Sequence, residues 1–104
     1  NVNVVTVTGG TDPVLLKNAA FKLQKEVENM AVIGALEYEG KPQLLLMYSQ
    51  DLVDAGHNAS KDIREAAKSI QGGGGGQPGL ATAGGKDASG LNEALETLVT
   101  LATK

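Results

Sequence analysis

The apolar and polar positions of this chain alternate first with the period of a strand and then with that of a helix. Val2 to Thr8 is β-branched except for Asn3 and predicts a strand. Gly9-Gly10-Thr11-Asp12-Pro13 reads as a loop entering a helix. Asp12 is placed to act as N-cap, with Pro13 at the first helical position, where a missing N–H does no harm. Leu16, Ala19, Ala20, Leu23, Val27 and Met30 recur at spacings of three and four, so this helix is expected to run to about Met30. Ala31 to Tyr38 and Pro42 to Ser49 predict two further strands, joined by a short hairpin turn at Glu39-Gly40-Lys41. Leu44-Leu45-Leu46-Met47 is apolar without alternation, which calls for cover on both faces of the sheet. Two strands flanking a helix should run parallel with a right-handed crossover, and the third should pair antiparallel to the second.

Asp51 to Gly56 reads as a loop or a single helical turn. Asn58 or Ser60 then caps a helix to about Ile70, whose inner face is Ala59, Ile63, Ala66, Ala67 and Ile70. A glycine-rich stretch follows from Gln71 to Gly90, in which Leu80 to Ala83 fits a short edge strand. The last helix spans about Ser89 to Ala102, with Leu91, Ala94, Leu95, Leu98 and Ala102 inward. The expected fold is therefore α/β. A small mixed sheet of three to four strands, in the order β-α-β-β-α-loop/short β-α, packs with helices into one domain over residues 1–104.

Composition narrows the function. The 104 residues are 41% hydrophobic but hold one Phe, two Tyr and no Trp, so a platform of aromatic side chains for stacking single-stranded bases is not expected. The absence of Cys excludes disulfides and thiolate metal sites. With His57 as the one histidine, neither a transition-metal site nor a nucleophile–base pair is expected. His57 itself reads as a solvated or capping residue before a helix, with RNA contact the lesser alternative, and the carboxylates Asp51, Asp54, Asp62 and Glu65 as solvated surface. No apolar run reaches membrane-span length and no signal peptide is visible, so the expected location is the cytoplasm. A first residue of Asn rather than Met is what a processed or excised piece would show. Net charge is −3, so any nucleic-acid affinity must come from a local basic patch.

Gly72, Gly73, Gly74, Gly75 and Gly76 form an unbroken run between two amphipathic helices. Ordering glycine costs ~0.5–1 kcal/mol per residue relative to alanine, so five cost roughly 2.5–5 kcal/mol. Domain stability is only ~5–15 kcal/mol. A flexible linker would explain the run cheaply, but its place inside a small domain between two helices disfavours that reading. The cost of the run suggests a need for bare backbone: an anion-binding concavity of N–H groups, or tight packing against neighbouring chain. Composition leaves both open. Gly74, Gly76 and Gly79 match the dinucleotide pattern G-x-G-x-x-G by letter only, because a helix precedes them and Pro78 interrupts. Gly85-Lys86 is not a P-loop, since Asp87 stands where Ser or Thr would hold magnesium. Lys61, Arg64 and Lys68 lie three and four apart opposite the apolar stripe of their helix, which leads into Gly72. They read either as a phosphate-binding face or as solvated charge, with Asp62 and Glu65 diluting the field and Lys68 favoured by the helix C-terminus.

Gln71 to Pro78, followed by Ala81-Thr82-Ala83-Gly84-Gly85-Lys86-Asp87, resembles the signature near the end of alanyl-tRNA synthetases. The preceding Arg64-Glu65-Ala66-Ala67-Lys68 and the trailing Leu91-Asn92-Glu93-Ala94-Leu95 are also similar to that family. The likeness is sharp over about residues 57–98 and looser before them. Many members carry Arg where this chain has Gln77, which removes one phosphate contact. A related domain in DHH-type phosphoesterases has a shorter glycine motif followed by His, where this chain has Gln77-Pro78.

The resemblance implies a non-catalytic C-terminal domain of an alanine–tRNA ligase. It would bind the outer corner of tRNA(Ala), where the D and T loops meet, and link aminoacylation with editing in the parent enzyme. Lys61, Arg64, Lys68, Gly72 to Gly76, Gln77 and Lys86 are the candidate RNA-binding residues, with the Lys61–Lys68 face favoured over the glycines. No catalytic or metal-binding residue is assigned, and no cofactor is expected here. ATP, magnesium and zinc belong to other domains of the parent, which are the other expected partners, together with an optional second copy. The alternatives are a dimerising or domain-bridging module, marked by exposed apolar surface near Phe21 or Tyr48, and the substrate-binding domain of a DHH-type phosphoesterase.

Overall fold

The computed structural model describes residues 2–9 and 12–103. Gly10 and Thr11 of the first loop lie outside the described residues. Strand β1 (Asn3–Gly9) leads to helix α1 (Pro13–Leu23), then β2 (Met30–Tyr38) and β3 (Lys41–Tyr48). A short helix α2 (Gln50–Asp54) and helix α3 (Ala59–Ala67) follow, then β4 (Gly73–Gln77), β5 (Leu80–Gly84) and the closing helix α4 (Leu91–Ala102). The sheet order is β1-β2-β3-β5-β4. β1 and β2 pair in parallel, and every other neighbour is antiparallel.

The three segments expected as β1 to β3 fold as strands. Glu39 and Gly40 form a two-residue turn with φ of 53° and 79°, the paired positive values of the hairpin turn that matches strand twist. The continuous apolar run of β3 is covered twice. Leu44, Leu46 and Tyr48 face α3 and α4, in a core with Ile33, Ile63, Ile70 and Leu98. Leu45 and Met47 face the other way, with Val32 and Ala20 of α1. Asp12 caps α1 by accepting the Val14 N–H at 2.9 Å, and Asn58 caps α3 by accepting the Lys61 N–H at 3.1 Å.

Two expectations need correction. The sheet has five strands rather than three or four, because the glycine run is itself a strand. That run, not Leu80–Ala83, forms the edge; β5 lies between β3 and β4. Helix α1 stops at Leu23 instead of about Met30. Val27 and Met30 still join the apolar layer beneath α1, but from an irregular segment. There the N–H groups of Glu26 and Val27 both donate to the Leu23 carbonyl, and Asn29 turns the chain at φ 53° so that Met30 can start β2.

Asp51 fixes that turn. The Asn29 N–H donates to both of its carboxylate oxygens, at 2.9 and 3.1 Å. The Ser49 hydroxyl first, and then the N–H groups of Asn29, Asp51 and Leu52, hold the Asp51 carboxyl below its ordinary value of 3.8 against an opposing effect of burial. Ionised Asp51 is thus favoured by folding. Its contribution is complete above the unfolded value and is lost as pH falls through the lowered, folded one. Asp51→Ala should therefore lower the thermal midpoint at neutral pH, and the gap from the parent chain should close on acidification below about pH 4. Melting curves across that range check it; a gap that stays constant with pH would show that the carboxylate charge plays no part.

Candidate nucleic-acid interface

The pentaglycine run divides into two kinds of position. β4 pairs with β5 through a hairpin closed by Gln77 and Leu80, with Pro78-Gly79 at the turn. A side chain at Gly72, Gly74 or Gly76 would run into the carbonyl oxygen of Gly84, Thr82 or Leu80 respectively. These three glycines are required by the fold. A side chain at Gly75 would meet the Arg64 guanidinium and the Ser60 hydroxyl at 3.6 Å, an ordinary contact, and one at Gly73 would meet nothing within 4 Å. Successive N–H groups of a strand point to opposite sides, so the run offers no concavity of consecutive donors. Of the two readings left open by composition, close packing on neighbouring backbone accounts for the alternate glycines.

Helix α3 brings positive charge to this strand. Its first N–H, from Ala59, donates to the Pro78 carbonyl at 2.8 Å and ties the helix to the β4–β5 turn. The buried Tyr48 hydroxyl donates to Asp62 at 2.5 Å and ties it to β3. Burial and then Asp62 raise that phenol far above its ordinary range. With Ile63, Ala66 and Ala67 turned inward, Lys61, Arg64, Glu65 and Lys68 are exposed.

The three cations of α3 do not act alike. Arg64 lies beside Gly75. Lys68 pairs with Glu65 at 3.2 Å on open surface. Lys61 lines a separate cavity of about 550 Å³ with His57, Asn58, Asp62 and Glu65. Gln77 is exposed at the hairpin end of β4. Lys86 stands at the opposite end, where it lines a groove with Gly72, Gly73 and a residue the sequence did not single out, Lys41. Register brings Lys41 there: Gln43, two residues on, faces Gly84, which faces Gly73. In the sequence Lys41 showed only as part of a turn.

Several polar residues expected to be solvated also have structural partners, and of these Asp51 and Asp54 are exposed as expected. His57 packs edge-on against Tyr48, with ring centroids 4.9 Å apart, and its Nδ1 lies 3.3 Å from the Leu52 carbonyl oxygen. Asp62 accepts from Tyr48, Asp51 from Asn29, and Asp54 from Gln50 at 3.0 Å. Among the described residues, no three His, Asp or Glu side chains converge as metal ligands would. No described helix is long and apolar enough to cross a membrane.

The family model described as the DHHA1 domain matches residues 1–104. The alanine–tRNA ligase of Bacteroides thetaiotaomicron is 49% identical over 89 residues, which is 85% of this chain and 10% of that protein. The alanine–tRNA ligase of Cytophaga hutchinsonii is 47% identical over 81 residues, 77% of this chain and 9% of that protein. The chain thus spans about a tenth of the length of these curated relatives. The crystal structure of the C-Ala domain from Aquifex aeolicus alanyl-tRNA synthetase superposes with a TM-score of 0.85 at 29% identity, covering 100% of this chain and 96% of that one.

The split among the glycines is testable by stability. Gly74→Ala should destabilise the fold by about 1–3 kcal/mol or more, the range for forcing atoms into a filled site. Gly75→Ala should stay within about 1 kcal/mol, because its neighbours are the mobile ends of side chains. Urea unfolding of the two variants measures this, and equal losses would refute the assignment.

Proposed function

The chain belongs to the DHHA1 domain family, and from that premise we propose that it is the C-terminal domain of an alanine–tRNA ligase that holds tRNA(Ala) without performing chemistry itself. Support comes from the sequence likeness to alanine–tRNA ligases and from the close superposition on the C-Ala domain. Within the molecule, one observation carries the reading: the Arg64 guanidinium lies beside Gly75, on an edge strand stripped of side chains. A phosphate can approach such a strand closely while the guanidinium neutralises it.

The mode of contact follows from what the surface offers. Tyr48 is buried, Tyr38 is half-buried near Asp12, and Phe21 sits on α1, so no aromatic row is available for stacked bases. Recognition is therefore through the sugar–phosphate backbone, which positions RNA without reading its sequence. In the parent enzyme this would hold one tRNA for both the aminoacylation and the editing centres. ATP, magnesium and zinc would be used in those other domains, and the enzyme would work in the cytoplasm.

A second reading has its own observation. On α1, Val14, Leu15 and Phe21 are 62%, 66% and 60% exposed, an apolar face that suits docking against another domain of the parent or a second copy. The two readings use different surfaces and are compatible. A DHH-type phosphoesterase has no comparable support, since the relatives described above are alanine–tRNA ligases.

Titration of labelled tRNA(Ala) with the chain should show affinity that falls steeply and linearly on a logarithmic salt scale. Arg64→Ala should weaken binding roughly tenfold, the worth of one charge-assisted contact, and leave the melting temperature unchanged. Failure to bind at any salt would defeat the RNA-binding reading. Sedimentation analysis of Phe21→Ser separates the docking face, since a change in association without a change in tRNA affinity belongs to that surface.

A further inference from the structure

The groove at the Gly72–Gly73 end of β4 encloses about 800 Å³ and is lined by Lys41, Gln43, Gln71, Gly73, Gly84 and Lys86, with Gly40, Gly72 and Gly85 completing it. Its only charged groups are the two lysines, in a chain whose net charge is −3. Neither ammonium has an ion pair or hydrogen bond among the described residues, whereas Lys68 is held by Glu65. The nearest acid in sequence, Asp87, is turned to the Ser89 N–H at 3.0 Å and does not line the groove.

Two features of the backbone set this groove apart. Gly73 has no positive φ, and a side chain there would point into open space, so nothing inside the protein requires glycine. Bare backbone that the fold does not need is what close approach of a ligand calls for. Gln71 shows the reverse. It adopts φ 52° and ψ 47°, the left-handed conformation in which glycine costs least, yet it keeps a side chain, and the residue lines the groove. Two free ammoniums, two carboxamides and a smooth glycine floor match the charge and hydrogen-bonding needs of a phosphodiester.

We propose that this groove binds RNA backbone phosphate through Lys41 and Lys86, with Gly73 left bare so that the ribose–phosphate chain can lie against β4. The site rests on the RNA-binding function proposed above and extends it. Gly75, beside Arg64, is two residues along the same strand, roughly 7 Å at the usual rise per residue. Arg64 and the lysine pair therefore stand at successive points along one edge, and a single RNA strand can engage both.

The test uses labelled tRNA(Ala), with Lys41→Ala/Lys86→Ala compared with the charge-matched Lys22→Ala/Lys25→Ala, whose lysines lie outside the groove. The groove pair should weaken binding by about tenfold at low salt and reduce the salt slope by about one per lysine. The control pair should leave the slope unchanged. Gly73→Val should melt no lower than the parent, since its side chain enters open space, and should still bind tRNA more weakly. That combination is not produced by a residue that merely supports the fold. Inorganic phosphate tests the other source of the same chemistry: strong competition by it, with tRNA affinity indifferent to the lysines, would make this a free-phosphate site and overturn the proposal. If the parent chain binds tRNA and the groove variants bind it equally well with the same slope, the groove assignment fails while the RNA-binding function stands. If the parent chain does not bind tRNA at all, both fail together.

Discussion

The carbonyl oxygens of β5 occupy the space that side chains of β4 would need. This steric constraint organises the second half of the molecule. It obliges Gly72, Gly74 and Gly76 to be glycine, and it lets a five-residue strand form from a segment with almost no strand propensity. Pairing along the ladder compensates for the entropy lost in ordering that segment, and the contact of α3 with β4 and β5 adds apolar burial through Ala81, Ala83, Ile63 and Ala67. The strand in turn fixes where α3 sits, because the Pro78 carbonyl receives the first N–H of that helix. Arg64 lies beside Gly75 as a consequence of both contacts.

Most of the fold was legible because its signals are local. β1 announces itself by β-branched residues, β2 and β3 by short apolar runs on either side of a turn, and α3 and α4 by apolar stripes with nearby caps. The two failures have a common origin in tertiary context. β4 has no side chains to alternate, so no periodicity can reveal it; only pairing with β5 makes it a strand. The stripe of α1 continued past Leu23 because Val27 and Met30 are both needed in the core. The chain delivers them from a turn anchored by Asp51, a residue 22 positions away from Asn29. Period alone does not distinguish a buried residue on a helix from one on the segment after it.

The candidate binding surface was legible in part. Spacing identified the outward face of α3, and it is exposed. Spacing could not show that Glu65 engages Lys68, or that Lys61 turns toward the loop containing His57 while Arg64 lies against the glycine strand. Those differences depend on what lies opposite each residue. Lys41 is the clearest case, since α2, α3, β4 and β5 separate it from Lys86 along the chain and it meets that residue only through the register of β3, β5 and β4. Asp62 illustrates the opposite error. Its place among charged residues suggests solvated surface, but it is the acceptor for a buried phenol that locks α3 onto the sheet.

An acidic domain that binds RNA must concentrate what positive potential it has, because its long-range field repels the ligand. Exposed charges more than a Debye length from the contact, about 8 Å at physiological salt, are largely screened, so the global charge matters less than the charges beside the bound phosphate. Here the bare positions between the constrained glycines have an electrostatic consequence. Gly73 and Gly75, which β5 does not oblige to be glycine, leave no side chain to hold a phosphate away, so at the proposed site Arg64, Lys41 and Lys86 would act over short distances. The same three cations spread over a side-chain-covered sheet would sit farther from the phosphates, in deeper solvent, and would be screened accordingly. The steric demand of β5 thus accounts for Gly72, Gly74 and Gly76, and the proposed affinity for RNA accounts for the bare positions between them, Gly73 and Gly75.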